Sequence, residues 1–505
     1  MLTQELLGPH LQGLGDLFAL LWQVVVPHTG VLHTVPWRGR AAAEYAPLAA
    51  AARQYRGTGT PDVFIRYLLG EPVAFHTEIA PAAEAERAFT IMLVIDLLAH
   101  DVHPASVVIS ASSRAPAPCR AASQLRQRRW IDGHYGGGIA GTGRVVPKGP
   151  IYRRLLDEDE MASGDRLDTQ FTSLALLEVG AGQYTINIEA VAPKDFPAGH
   201  DPADAAAPSI GIAPVAEDRD DLAFDAVLRQ GRPFLDARPR DPGELAARTV
   251  AVVRALGSAD IVLLPELCVS ADAVVAVMED LVAAAGLSGA PAPRLIALGS
   301  GLSAQCCPTT SRPYNECSIV DANGRVLWKQ RKLNHFRMGE QRMGECNILT
   351  AVARPHAEDV ATGTVLQVRD LPHFGRVMVL ICEDLEQRAP GGDAAYALRP
   401  DWILTPVLDV AQSAGRWTHQ RAIEIARLSG TRILVSNSAT LAVRQANGRT
   451  VGDVAASSVG IGLCIDMTES RRMKVVTLAD CTISPISAQF DWDPTSWDRW
   501  TIVVR

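Results

Sequence analysis

An α/β fold is predicted for residues 201–484, behind a mainly helical α+β region over residues 1–200. Three observations predict it. From Ser209 onward short apolar runs alternate with amphipathic stretches, the texture of strands and helices packed in layers. Some of those runs stop abruptly at charged residues: Val377–Asp384, reading VMVLICED, is a buried strand that ends where Cys382 and two acids emerge. Residues 192–208 carry four prolines among Asp and Ala residues and read as a linker, which puts a domain boundary near residue 200.

Composition bounds the function. A chain of 505 residues exceeds what one hydrophobic core supports, so at least two domains are expected. With 48% hydrophobic and 21% charged residues it is globular throughout. The net charge of -8 opposes a general binder of nucleic acid or anionic membrane, since both need a positive field. Leu17–Val26 is apolar for only ten residues and has no basic region before it, so it reads as neither a signal peptide nor a membrane span. Nine cysteines form no CxxC pair and no Cys/His zinc spacing, the pattern of reduced thiols in a cytoplasmic protein.

In chain order, helices are expected over Leu2–Val26, Ala41–Tyr55, Asp62–Leu69 and Ala80–His100, then a short strand at Ser106–Ser110. Pro118–Trp130 is a basic helix with Arg120, Arg126, Arg128 and Arg129, either a solvated face or a contact for an acidic partner. Gly136, Gly138 and Gly141 satisfy GxGxxG, but no strand precedes them and no helix follows, so they read as a loop. Phe171–Val191 suggests two strands joined around Gly180–Gly182, closing the first domain.

In the second region Ser209–Val215 is the first strand, followed by a polar insertion. Asp241, Pro242 and Glu244 then open a helix in capping-box fashion, with Leu245, Val252, Val253 and Leu256 on one face. Strands follow at Ile261–Leu264, Leu295–Leu302, Asn315–Val320, Arg325–Lys332, Val365–Leu371 and Gly375–Ile381, the third and fourth joined as a hairpin across Asp321–Gly324. Trp402–Pro406, helix Trp417–Ser429 and strand Thr431–Asn437 complete the domain. In the tail, residues 485–505, Trp492, Trp497 and Trp500 either cover an oligomer interface or pack back on the same chain.

Three chemically capable residues close predicted strands: Glu266 in LLPEL, Lys332 in WKQRKLNHF and Cys382 in LICEDL. Each alone is bland, since free cysteines are usually core residues, Pro-Glu is usually a turn and a lysine beyond a hairpin is usually solvated. Together, over residues 209–480, they make the sequence resemble the nitrilase superfamily of carbon–nitrogen hydrolases. IVLLPEL matches that family's glutamate, KQRKLNHF its lysine and FGRVMVLICEDL its cysteine, with DWILTPVLDV and WTHQRAIEIARLSGTRILVSNS further along.

The resemblance implies an α-β-β-α sandwich and a Glu-Lys-Cys triad: Glu266 as general base and acid, Cys382 as nucleophile, and Lys332 with the Glu383 backbone N–H as oxyanion donors. It also implies a second supporting glutamate in the segment after the lysine, where Glu340 matches and Glu345 competes. The family's glycine pattern after Asn437 is hard to find before Gly460. Cys-Glu-Asp at the nucleophile looks more like the amide-cleaving branches than the Cys-Trp-Glu of true nitrilases, so a small-molecule amide is expected ahead of a nitrile, with no metal and no organic cofactor. The family's habit of pairing implies a homo-oligomer. The alternative is a nitrilase-like subunit of a larger assembly, whose N-terminal domain binds an unknown protein or nucleic-acid partner.

Overall fold

A computed structural model describes residues 14–29, 82–102, 144–147, 167–171, 174–177, 184–191, 208–286, 292–348, 354–371, 374–466, 472–481 and 488–491. The chain forms two compact units. One comprises Met1–Gln183 with Asp393–Asp401 and Leu428–Gly430, and the other the remainder.

In the first unit helix α1 (Leu14–Val25) packs on α2 (Ala82–Val102), and strand β1 (Arg144–Pro147) pairs antiparallel with β2 (Leu174–Leu177). Phe18, Trp22, Phe89 and Phe171 gather into one aromatic cluster, with Phe18 edge-on to Phe171 at 4.9 Å. Asp96 of α2 is buried, and accepts a 2.7 Å hydrogen bond from Leu174 N–H that ties helix to strand. The expected first and last helices are present here. Those expected over Ala41–Tyr55 and Asp62–Leu69, the Ser106–Ser110 strand, the arginine helix, the glycine loop and the three tail tryptophans lie outside the described residues.

The second unit begins with β3 (Thr185–Ala190) and β4 (Ser209–Ile212), then a hairpin of β5 (Leu222–Arg229) and β6 (Arg232–Pro239). After α3 (Pro242–Ala255) come β7 (Ile261–Leu263), α4 (Ala271–Ala285), β8 (Leu295–Ala297), β9 (Gly301–Cys306), β10 (Pro313–Asp321) and β11 (Val326–Arg331). Next are β12 (Arg337–Met338), α5 (Glu340–Glu345), β13 (His356–Glu358), β14 (Val365–Leu371), β15 (Gly375–Val379) and α6 (Glu383–Glu386). The chain continues through β16 (Trp402–Val407), α7 (Trp417–Ser429), β17 (Arg432–Asn437), β18 (Gly460–Asp466), β19 (Arg472–Thr477) and β20 (Ala488–Asp491).

Two sheets face each other. The first runs β11-β10-β8-β7-β4-β20 with β9 beside β10, and the second runs β19-β18-β17-β16-β15-β14-β3. β7 lies against β16 and β17, and β11 against β14. Outside the first sheet, α3 and α4 press Leu245, Val252, Val253, Leu256, Val277 and Leu281 onto Val262, Leu264 and Ile296. Outside the second, α7 is the crossover between the parallel strands β16 and β17, burying Ala422, Ile425 and Ala426. This is an α-β-β-α sandwich. A smaller sheet, β12-β13-β6-β5, stands beside it.

Local chemistry accounts for these boundaries. Asp241 caps α3 by accepting from Glu244 N–H at 2.9 Å, with Pro242 in the first turn. The stretch read as a polar insertion is instead the β5–β6 hairpin. Its turn residues Gln230 and Gly231 both have positive φ, 50° and 75°, as a two-residue turn that follows the strand twist requires. β3, expected to close the N-terminal domain, pairs parallel with β14 in the sheet that also holds β15, so the division falls after Gln183 rather than near residue 200. β20 brings the start of the tail antiparallel onto β4.

Gly460 opens β18 against the backbone of Gln412, whose N–H donates to Gly460 O at 2.9 Å. A Cβ at Gly460 would lie 1.8 Å from Gln412 O. Gly460→Ala should therefore cost about 1–3 kcal/mol through forced backbone displacement. Urea unfolding measures it, and an unchanged midpoint would contradict this contact.

Candidate active site

Glu266 follows β7 by three residues, on a backbone held by its own N–H donating to Val407 O at 3.3 Å. Its carboxylate is 1% exposed. Oε1 accepts from Lys332 Nζ at 2.7 Å and Asn315 Nδ2 at 2.9 Å, and Oε2 accepts from Leu408 N–H at 3.0 Å. Lys332 is the first residue after β11, and its N–H donates to Asn315 O at 2.8 Å. Asn315 thus fixes the lysine's backbone and the glutamate's side chain together.

Cys382 leaves the end of β15 with its N–H donating to Pro406 O at 2.9 Å and opens α6. Its φ of 48° and ψ of -103° are a conformation that a residue with a Cβ adopts only where its surroundings enforce it. The turn leaves the thiol buried, 3% exposed, and close enough to Glu266 for each group to feel the other.

Asp384 enforces that turn. Its buried carboxylate accepts from Leu333 N–H at 3.0 Å, from Asn334 N–H at 2.7 Å and Nδ2 at 3.1 Å, and from Ile381 N–H at 3.3 Å. One side chain therefore holds the residue before Cys382 and the two residues after Lys332. Tyr184 OH extends the network, donating to Asn334 Oδ1 at 3.1 Å.

The site's electrostatics follow from burial and pairing. Burial pushes the Glu266 carboxyl above the usual carboxylate range, against the pull of Lys332 and of the hydrogen bonds it accepts. Burial and the neighbouring Glu266 charge hold the Cys382 thiol well above its ordinary value, so it rests protonated. Burial disfavours the Lys332 ammonium, but the charges of Glu266 and Glu358 outweigh it and keep the lysine firmly protonated. Asp384 is pushed up to about 7 by burial, against its N–H donors and Lys332.

The structure brings Glu266, Lys332 and Cys382 together and places Glu340 elsewhere. Glu340 opens α5 with its side chain exposed, and Glu345 pairs with Arg342 on the same short helix. The second carboxylate beside the lysine is Glu358 at the end of β13. Its Oε1 accepts from Lys332 Nζ at 2.7 Å and its Oε2 from Phe336 N–H at 3.2 Å. Glu383 sits at the first position of α6, where a helix N–H has no intrahelical acceptor. Asn437, which ends β17, accepts from Asp409 N–H at 2.8 Å and donates to Asp409 O at 3.1 Å and Gly460 O at 3.4 Å, so Gly460 supplies the wall beside it. Among the described residues no group of three or more His, Cys, Asp or Glu side chains is placed to hold a metal ion, and no helix is long and apolar enough to cross a membrane.

No family model and no curated protein matches the chain. Solved structures to which it is similar include a nitrilase-superfamily member, an amidase and the NitFhit protein. Nit3 of Saccharomyces cerevisiae, a member of branch 10 of that superfamily, is 13% identical over 57% of this chain and 91% of its own, with a TM-score of 0.34. An amidase from Nesterenkonia sp. is 16% identical over 46% and 75%, with a TM-score of 0.29. The C. elegans NitFhit protein is 14% identical over 54% and 61%, with a TM-score of 0.33.

Asp384→Asn should disturb this site measurably. The folded carboxyl, at about 7, holds its proton more tightly than the unfolded one near 3.8. Its contribution to stability is therefore complete below the unfolded value and lost as pH rises through the folded one. Urea unfolding of the parent relative to D384N should show the parent losing ground as pH rises from about 4 to about 7, the interval between the unfolded and folded values. A difference independent of pH would refute the assignment.

Proposed function

We propose that the second unit is a carbon–nitrogen hydrolase that cleaves a non-peptide amide through a cysteine thioester. The observation that supports this reading is the convergence of a buried carboxylate, a buried ammonium and a thiol on a strained turn, three groups from three strand ends. A structural core has no need of them in one place.

Glu266 takes the proton from Cys382 Sγ as the sulfur attacks the amide carbonyl carbon. Negative charge then builds on the carbonyl oxygen, where Lys332 Nζ and the Glu383 N–H stabilise it. The protonated Glu266 gives its proton to the leaving nitrogen, the C–N bond breaks, and ammonia or an amine departs from a thioester. Water enters, Glu266 takes one of its protons, and a second tetrahedral intermediate collapses to release the carboxylic acid and the thiol. Glu358 holds Lys332 in position and keeps it charged throughout.

Incubation with a panel of simple amides should add to Cys382 the mass of the amide less ammonia, seen by intact-protein and peptide mass spectrometry, with ammonia released on turnover. Cys382→Ala should abolish both, and turnover that survives this substitution would rule the mechanism out.

The lysine's second carboxylate is tested separately. Glu358→Gln should lower kcat by about 100-fold or more, the scale of losing an oxyanion donor, because it frees Lys332 to move. Glu340→Gln is expected to change kcat by less than about threefold, as surface substitutions away from a site do. The reverse ranking would restore Glu340 as the supporting residue.

A further inference from the structure

Strand β5 is an outer edge of the small sheet β12-β13-β6-β5, the sheet that carries Glu358. Gln230 and Gly231 make the two-residue turn into β6, so the pair that closes it, Arg229 and Arg232, is hydrogen-bonded and the pattern alternates from there. Arg229, Val227 and Asp225 therefore turn their backbone groups toward β6, while Leu228, Ala226 and Phe224 turn theirs outward. At the far end the outward Leu222 O is taken by Arg444 Nη2 at 3.0 Å. Among the described residues no backbone group bonds the outward edge from Phe224 to Leu228, and Leu228 is 63% exposed.

Edge strands are commonly guarded by charges that repel a second strand. Those of β5 are arranged to do the opposite. Asp225 and Arg229 lie four residues apart on one face, so an antiparallel copy of the strand centred on Val227 sets Asp225 against the partner's Arg229 at both ends. Both groups have an open side for it. Arg229 meets Asp359 through Nε and Nη2, which leaves Nη1 unused, and Asp225 accepts from Arg238 at Oδ2, which leaves Oδ1 unused. On the other face the same register lays Leu228 over the partner's Ala226, which is also exposed. Centring the pair on Ala226 instead would set Asp225 against the partner's Val227 and leave the charges unmatched.

We propose that β5 is a self-complementary interaction surface, pairing antiparallel with β5 of a second copy of this chain, with Val227 on the two-fold axis. Ala226 and the partner's Leu228 exchange both N–H···O=C bonds, and so does the symmetry-related pair. The two small sheets become one, continuous through both copies. A single short edge buries little surface, so the association is weak and depends on concentration. It is independent of the hydrolase reading.

Sedimentation velocity of the full chain over a concentration series should show a self-association step. Ala226→Pro removes the outward N–H without touching the bonds to β6, and should weaken that step by about tenfold or more. Asp225→Arg should weaken it too, by setting like charges opposite one another. Val227→Cys tests the axis itself and serves if A226P does not fold. Facing residues of a non-hydrogen-bonded pair lie about 4.5 Å apart at Cα, within disulfide reach, so V227C should cross-link two copies under mild oxidation well ahead of A226C and of the parent. A parent that stays monomeric throughout, a step indifferent to A226P and D225R, or V227C cross-linking no faster than A226C overturns the inference.

Discussion

A lysine ammonium that water barely reaches is the constraint from which the site's geometry follows. Lys332 is 1% exposed, and so is Glu266 opposite it. Such a charge is tolerable only with partners in hydrogen-bond contact, and removing one typically costs about 3–5 kcal/mol because the remainder is left unpaired. Glu266 and Glu358 come from separate strands to meet it, one in the first sheet and one in the small sheet beside it. The same pairing would govern the proposed chemistry. Lys332 with its two carboxylates carries one net negative charge, so a thiolate formed by losing a proton to water would double it in a buried space. Transfer of that proton to Glu266 leaves the total unchanged and moves the negative charge from carboxylate to sulfur, then toward the substrate oxygen.

Much of this was legible because each of the three candidate residues closely follows a strand whose apolar run is unmistakable. IVLLPE, VLWKQRK and VMVLIC announce where the backbone leaves the sheet. Glu358 carries no such signal. Its strand is three residues long, His356–Glu358, and the reading of one sequence looked for a supporting glutamate in the segment just after the lysine, where Glu340 stands. Short strands pinned by partners far along the chain leave little pattern of their own, and β13 is held by β6 and β12.

Two other differences have separate causes. The β5–β6 hairpin was available in principle: LAFDAVLR and RPFLDARP flank Gln230-Gly231, and the glycine marks the turn, but the many polar residues on an exposed edge disguised the strands. The placement of β3 was not available. Thr185–Ala190 reads as a strand, yet which strand edge it joins depends on β14, some 180 residues later, with the pairing Thr185–Val365. Strand existence is local information and strand partnership is not.

Asp384 carries a consequence for how the site comes apart. Because one carboxylate clasps the segment before the nucleophile and the segment after the lysine, loosening either withdraws hydrogen bonds from the other. The lysine loop and the nucleophile turn thus belong to one cooperative unit of local opening, although 50 residues separate their clasped ends at Asn334 and Asp384. An activity of the proposed kind would then report on that unit rather than on the two sheets behind it.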